Sequence, residues 1–474
     1  MSFAACLVLR CHIDPCLAIV WIATALLLSS ASAARAQPVA PRPLGSDLPV
    51  YRPPDDRRLT PGVPTIEDPA GSISLRDALG LALMQSPELA TFAWEIRARE
   101  ARLLQAGRPP NPVVTTAVQD LGGSTGFTGA ADPIQSQTTI ELSQLVELGG
   151  KRAARQRVAA LNRDLAAWDF ETARMDVLTR VTGAYLDVLA SQQLVTLTQE
   201  TAGLVEQVQR AVGLRVAAGV VSPIEQTKAD VALAAVRIES DRARRILEAD
   251  RRRLAALWGS TSPRFQSAVG DLTTVRPVPA FDDLQHRLSQ NPDVARWAAE
   301  IAQRDAALAV ERSKRVPDVS VSGGYRRYPE IDSNGFVIGA SVELPLFDRN
   351  RGGIQEARDR LSKAHEEQRA AHVRVTAMLA EAYRSLSSAS DEVSALASNV
   401  LPGARSAFEA VGEGYRLGKF GYLDVLDAQR TLVSAGGQYL RALADFHKAA
   451  AEVERLIGEP LTAMTTPPAT SGQE

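Results

Sequence analysis

The chain has 474 residues, enough for two or three ordinary domains, and its 53 Lys and Arg against 55 Asp and Glu leave a formal net charge of −2. A nucleic-acid partner would demand a clustered basic face; the arginines here are interspersed with acids, and even RARRILEADRRR at 242–253 reads as a solvated helix face. Cys6, Cys11 and Cys16 all lie at or before the start of the first apolar run, so the chain without its leader excludes disulfide frameworks and thiolate metal sites, and no cysteine stands where lipid modification needs one.

Residues 1–36 are expected to be an export signal: Arg10 precedes the apolar stretch CLAIVWIATALLLSSASA (16–33), with small-x-small sites ending at Ala33 or Ala36. That run is short for a retained spanning helix. Residues 37–71 are proline-rich and predict an extended arm, and 459–474 a disordered tail.

Between them lies an internal duplication. QSPELA (85–90) returns as QNPDVA (290–295), and GRPPNPVV (107–114) as KRVPDVSV (314–321). AGVVSPIEQTKA (218–229) returns as LGKFGYLDVLDA (417–428), and LWG (257–259) as LIG (456–458), each about 200 residues on. Four pairs in order at nearly constant offset define two repeats, 72–259 and 281–458, joined by a linker at 260–280.

Each repeat predicts a helix (75–106, then 281–314), two strands within 112–145 and within 318–345, a long helix (151–216, then 353–416), a glycine-containing turn and a returning helix (223–257, then 422–457). Leu161, Leu165, Trp168, Met175, Leu178 and Tyr185 step by three, four or seven, which is coiled-coil spacing. Some 65 residues at helical rise reach roughly 100 Å, too long for a compact domain. Gly203 and Pro402 fall at matching places and predict a kink in each long helix.

The strands alternate. Val319, Val321 and Tyr325 oppose Ser320, Ser322 and Arg326; Phe336, Ile338, Ala340, Val342 and Leu344 oppose Val337, Gly339, Ser341 and Glu343. The first hairpin is weaker, with Ile140 and Leu142 against Gln137, Thr139 and Glu141. Ten-residue alternation fits one face on lipid and one on water, and equally a soluble hairpin packed on helices. Four strands cannot close a barrel, and an open edge cannot lie in lipid, so a membrane reading requires several chains to pool their strands.

With these residues in view, the duplicated plan over about 72–458 resembles the TolC-like outer membrane efflux proteins. The junction VELPLFDRNRGG (342–353), with its echo ELSQLVELGGKR (141–152), resembles the heavy-metal branch of the cobalt–zinc–cadmium type; GYRLGKFGYLDVLDAQ (414–429) resembles a family signature. The resemblance implies a mainly α fold with a small β part, assembled as a homotrimer. Twelve strands would form a barrel in the outer membrane, continued by a helical periplasmic tunnel. The tunnel tips would dock a periplasmic adaptor (membrane fusion) protein bound to an inner-membrane resistance-nodulation-division-type pump. The implied docking residues are Gly219, Val220 and Ser222 at one tip and Gly418, Lys419 and Gly421 at the other, which has Gly421 where the first has Ser222. The implied periplasmic gate is Asp424 and Asp427, one helical turn apart, with Tyr415 as a latch; Phe420 replaces an arginine used there by some members. Without the resemblance, the two aspartates read better as N-terminal acids favoured by the helix dipole.

In the junction, Pro345 is expected to end strand pairing, Asp348, Arg349 and Arg351 to sit at the headgroup boundary, and Gly352 with Gly353 to turn the chain into the long helix. No catalytic constellation, cofactor site or metal site is expected. His365 and His372 lack companions for a tetrahedral set, Met84, Met175, Met378 and Met464 are dispersed, and GYRLGK lacks phosphate-loop spacing. The leading expectation is therefore a passive outer-membrane conduit for metal cations. The same conduit serving drug or protein export, and a soluble periplasmic coiled-coil adaptor, are the alternatives.

Overall fold

The structure, a computed structural model, describes residues 44–50, 52–53, 68–119, 136–329 and 332–461. The expected export signal, most of the proline-rich arm and nearly all of the tail lie outside these residues.

Ser74 starts the first helix by capping it. Its hydroxyl accepts from the Asp77 N–H and the Asp77 carboxylate accepts from the Ser74 N–H, both at 3.2 Å. The helix is shorter than the sequence predicts: α1 (Leu75–Gln85) stops and α2 (Pro87–Ala106) begins anew. The second repeat breaks at the same motif, with α5 (Phe281–His286), a 3₁₀ turn (Arg287–Gln290) and α6 (Pro292–Ser313). Proline has no N–H and forces its predecessor out of the helical region. Ser86 and Asn291 accordingly sit at ψ 119° and 130°.

The long elements follow the expected bounds closely. α3 (Lys151–Ala217) turns into α4 (Pro223–Ala256), and α7 (Arg351–Ala395), a π-helical turn (Leu396–Val400) and α8 (Leu401–Arg416) turn into α9 (Tyr422–Ile457). An interruption at the expected place is found in one repeat alone. α3 runs unbroken through Gly203, which keeps its N–H, whereas the π turn sits directly ahead of Pro402. A mid-helix proline removes one backbone bond and collides with the carbonyl four residues back, and a wider turn relieves the collision.

The main core lies around the middle of α3, where Val181, Tyr185 and Val188 pack with Leu254, Phe265, Leu284, Leu379, Leu386, Leu443 and Leu456. Two short strands that the sequence reading did not provide complete it. β1 (Gly71–Ser74) pairs in parallel with β4 (Phe265–Val269), which occupies the stretch expected as a plain linker. Tyr185 clamps them, its hydroxyl 2.5 Å from the Val269 carbonyl oxygen and 3.0 Å from that of Ile73. Arg174 is 1% exposed and forks onto Glu171 at 2.6 and 2.9 Å while donating to the Leu44 carbonyl at 2.9 Å. It thereby ties the start of the described chain to α3.

The second sheet is antiparallel, in the order β2 (Val113–Gln119), β3 (Gln137–Val146), β5 (Val319–Tyr328), β6 (Ser333–Val342). Its outer strands β2 and β6 each leave one edge unpaired among the described residues. Among the described residues no helix is long and apolar enough to cross a membrane.

Candidate functional site

Three regions carry the features singled out by the sequence: the faces of the four-stranded sheet, the joints where strands give way to long helices, and the tips where the helices turn back.

The register places Thr116, Ile140, Tyr325 and Phe336 in one row across the sheet, and Val114, Leu142, Gly323 and Ile338 in another. Phe336 is 89% and Ile338 88% exposed, so this apolar face is bare in the single chain. On the other face Ala117, Thr139, Arg326 and Gly335 align, and the Arg326 guanidinium donates to the Thr139 hydroxyl at 3.0 Å. The predicted alternation is therefore present, one face apolar and one polar.

At the first joint the chain leaves β3 through Glu147 and Leu148 and enters α3 after Gly149 and Gly150, at φ 67° and 73°. Both fall in the left-handed region that favours glycine. Gly149 is also crowded, because a Cβ there would come within 2.7 Å of the Val316 side chain. Asp318, just ahead of β5, receives the Leu148 N–H at 3.0 Å and pairs with Lys151 at 2.7 Å. Burial pushes the Asp318 carboxyl up, but Lys151 and the Leu148 N–H outweigh it and hold the group below its ordinary value. The bond from Arg155 holds Glu147 low in the same way.

The second joint differs from expectation. Pairing of β6 ends at Val342, before Leu344 and Pro345, so the proline follows the end of the ladder and does not cause it. Nor does Gly352 turn the chain, since it already lies in the first turn of α7. The turning residue is Asn350 at φ 51°, a conformation asparagine tolerates better than most side chains. Its amide donates to the Glu311 carbonyl oxygen at 2.9 Å and carboxylate at 2.8 Å, and its N–H donates to Asp348 at 2.8 Å. Asn350 is thus the main holder of the Glu311 carboxyl below its ordinary value, with Lys314 second. A Cβ on Gly353 would collide with Asn350, which explains the second glycine better than flexibility does. Arg349 and Arg351 are exposed and make no ion pair among the described residues.

The two tips share one backbone design. In the first, the Val220 N–H returns to the Arg215 carbonyl at 2.9 Å around Gly219 at φ 70°; in the second, the Lys419 N–H returns to Gly414 at 2.7 Å around Gly418 at φ 73°. This Schellman-type ending satisfies carbonyls at the helix end. The returning helices begin differently. Ser222 caps α4 by accepting from the Ile224 N–H at 3.4 Å. Gly421 has no side chain to offer, and the Asp424 carboxylate reaches back to its N–H at 2.8 Å. Within the chain, then, Asp424 serves as an N-terminal acid. Asp427, one turn on, is exposed beside it. Val220, Ile224, Leu417 and Leu423 are all more than half exposed, an apolar cap over both turns.

Behind the turns a small core joins the hairpins: Val212, Ala229, Tyr415, Tyr422, Val425 and Leu426. Arg215 lies 4.7 Å over the Tyr415 ring and donates to the Tyr415 carbonyl at 3.3 Å. The Tyr422 ring lies 6.3 Å from that of Tyr415, and its buried hydroxyl has no hydrogen-bond partner among the described residues. Burial, then the neighbouring Tyr415, pushes the Tyr422 phenol up to about 12. The Phe420 ring seats on Gly414, where a Cβ would collide with it. Sequence reasoning missed Arg215, Tyr422 and Gly414. A tyrosine at the first position of a returning helix was the available signal.

Among the described residues no group of three or more His, Cys, Asp or Glu could hold a metal ion. His286, His365 and His372 are exposed, and His447 contacts the Leu272 carbonyl at 2.9 Å.

Comparison with known proteins adds to this geometry. The family described as outer membrane efflux protein matches residues 78–260 and 284–459, one stretch for each repeat. The chain is 38% identical over 389 residues to the cobalt-zinc-cadmium resistance protein CzcC of Cupriavidus metallidurans, covering 82% of this chain and 91% of that protein. It is 30% identical over 292 residues to the nickel and cobalt resistance protein CnrC of the same species, covering 61% and 67%. Among solved structures, that of CusC, described with its transmembrane channel formation, superposes with a TM-score of 0.69 at 16% identity over 86% of this chain and 99% of the other. The open state of the Neisseria gonorrhoeae MtrE outer membrane channel gives 0.67 at 19% identity, over 82% and 89%.

Proposed function

The chain belongs to the outer membrane efflux protein family, and from that premise we propose that it is the outer-membrane channel of a tripartite efflux system exporting heavy-metal cations. It is a passive conduit and not an enzyme. Three chains pool twelve strands into a barrel, and their long helices continue it as a tunnel through the periplasm. The observation that carries this reading is the sheet: four strands with a bare apolar face and two open edges, continuous with helices of roughly 100 Å. Such a sheet is stable in lipid when its edges are paired by further copies.

The substrate class follows the similarity to CzcC, a cobalt-zinc-cadmium resistance protein. A metal conduit needs no metal ligands of its own, because selection and energy reside in the pump and a hydrated polar lumen suffices. The apolar cap over the tips supports docking of an adaptor there through Gly219, Val220, Ser222, Gly418, Lys419 and Gly421. A resistance-nodulation-division-type pump lies beneath the adaptor. Asp424 and Asp427 from three chains bring six carboxylates toward one axis, a ring that attracts cations and repels itself. Tyr415, held beneath Arg215, positions the second hairpin of that gate.

Deleting the gene tests the substrate class. Sensitivity to cobalt, zinc or cadmium with unchanged tolerance of detergents and dyes is the expected outcome; the reverse pattern transfers the channel to drug export. Fractionation tests the architecture, with a heat-modifiable oligomer expected in outer-membrane fractions and a soluble monomer contradicting it.

A further inference from the structure

The segment between β6 and α7 carries the most exposed large apolar side chain of the described residues. Phe347 is 99% exposed, with Leu344 at 70% and Leu346 at 64%, in an eight-residue link from Glu343 to Asn350. The corresponding link of the first repeat, Glu147 to Gly150, is four residues long, with Leu148 at 39% exposure, and is held down by its neighbours. It packs on the entry into β5: Gly149 lies against Val316, the Leu148 N–H donates to Asp318 and Lys151 pairs with Asp318. The exit of repeat one is therefore seated on the entry of repeat two.

The duplication says what should cover the second exit. KRVPDVSV, which receives the first exit, is the copy of GRPPNPVV at 107–114, the entry into β2. In the same chain that entry is out of reach, because β3 and β5 lie between β2 and β6. Three strand spacings place the two edges about 14 Å apart. The chain end of β6, the start of β2, the end of β3 and the start of β5 all lie at one end of the sheet, as the pairs Val113–Ser143, Val146–Val319 and Val319–Val342 show. β6 runs antiparallel to β2, so the β6 edge of one copy can pair with the β2 edge of the next without reversing the sheet. On that continuation the link after β6 of one copy and the 108–112 entry into β2 of its neighbour fall at the same end of the joined sheet.

We infer that the exposed 344–351 link is the docking surface for the proline-rich 108–112 segment of a second copy of this chain, repeating between copies the joint seen within one. Phe347 lies on the proline rings, and Arg351, the counterpart of Lys151, donates to the Asn111 amide oxygen of the next copy where Lys151 meets Asp318. The prolines lack N–H groups, so the strand ladder between copies stops at Val113 and side chains take over. The inference rests on the proposed trimer and deepens it by naming its seam.

Disulfide trapping tests it. Phe347→Cys is combined in turn with Pro109→Cys, Pro110→Cys and Asn111→Cys, and the exported protein is mildly oxidised in outer-membrane preparations. A disulfide requires Cα atoms within about 7 Å, so a bond within one chain is excluded by the edge separation. At least one pair is expected to give covalent dimers and trimers that reductant reverses, with the four single-site controls and the wild-type chain remaining uncross-linked. If the wild-type chain is trimeric on a sizing column and no pair cross-links, the seam is wrong and the trimer stands. If the wild-type chain is monomeric in detergent and in the membrane, the trimer fails and the seam falls with it.

Discussion

The two repeats share one plan and have diverged at their helix breaks, exits and tips. In the first, α3 is unbroken over 67 residues, its exit is seated on its neighbour, and Arg174 fastens it to the chain ahead through a buried pair. In the second, the equivalent helix is interrupted by a π turn before Pro402, its exit is bare, and Arg374, 200 positions after Arg174, is exposed. The second tip also depends on Asp424 where the first has a conventional serine cap. The differences thus gather in the second half, in its long helix, its exit and its tip.

The widest gap between the halves is expected at the arginines. Arg174→Ala leaves Glu171 buried without its partner, which costs about 3–5 kcal/mol, while Arg374→Ala changes stability by no more than about 0.5 kcal/mol. Thermal unfolding of the two variants reads the difference, and equal losses would erase the distinction. Exchanging the helix breaks comes next. Gly203→Pro should destabilise by about 3 kcal/mol and open α3 near that residue. Pro402→Ala should recover part of a similar amount and slow hydrogen exchange across 396–402. An exchange pattern unaltered by either change would mean that the proline does not set the π turn.

High pH should loosen the tip core. The Tyr422 phenol is raised from its ordinary 10 to about 12 in the fold, so its contribution is whole below pH 10 and is lost as pH rises through 12. At 1.36 kcal/mol per unit this amounts to roughly 2–3 kcal/mol. Hydrogen exchange at 415–426 should quicken over that window, and Tyr422→Phe should remove Tyr422's share while leaving the tip folded, since the hydroxyl it deletes has no partner among the described residues. The smallest effect belongs to the joints. Gly150→Asn should cost under about 1 kcal/mol, because open space surrounds the site and asparagine accepts positive φ. Asn350→Gly forfeits the bonds to Glu311 and should cost about 1–2 kcal/mol.

Much of this organisation could be read from the sequence, because it is written in periodic signals. The duplication located both long helices and both returns, and alternation located all four strands of the larger sheet within a few residues. What could not be read depended on distant partners. β1 and β4 are four and five residues long and pair across nearly 200 positions, so neither has a local pattern. The helix breaks at Pro87 and Pro292 were in plain sight, but apolar periodicity continues through them and hid the stop. At the junction the double glycine drew attention, and the turning residue proved to be Asn350, whose role depends on Glu311 from another helix. The two aspartates proposed for the gate rest on resemblance alone. The structure adds that Asp424 is already engaged as a cap, which leaves Asp427 as the freer of the two.

On the proposed function, this chain assembles into a channel whose periplasmic end is set by the second hairpin. Planar-bilayer recording of the purified oligomer tests it most directly. Stepwise cation-selective conductance is predicted, with selectivity reduced by Asp424→Asn together with Asp427→Asn and the unit conductance otherwise retained. A protein that inserts no conducting units, or whose cation selectivity is indifferent to both aspartates, would contradict the account.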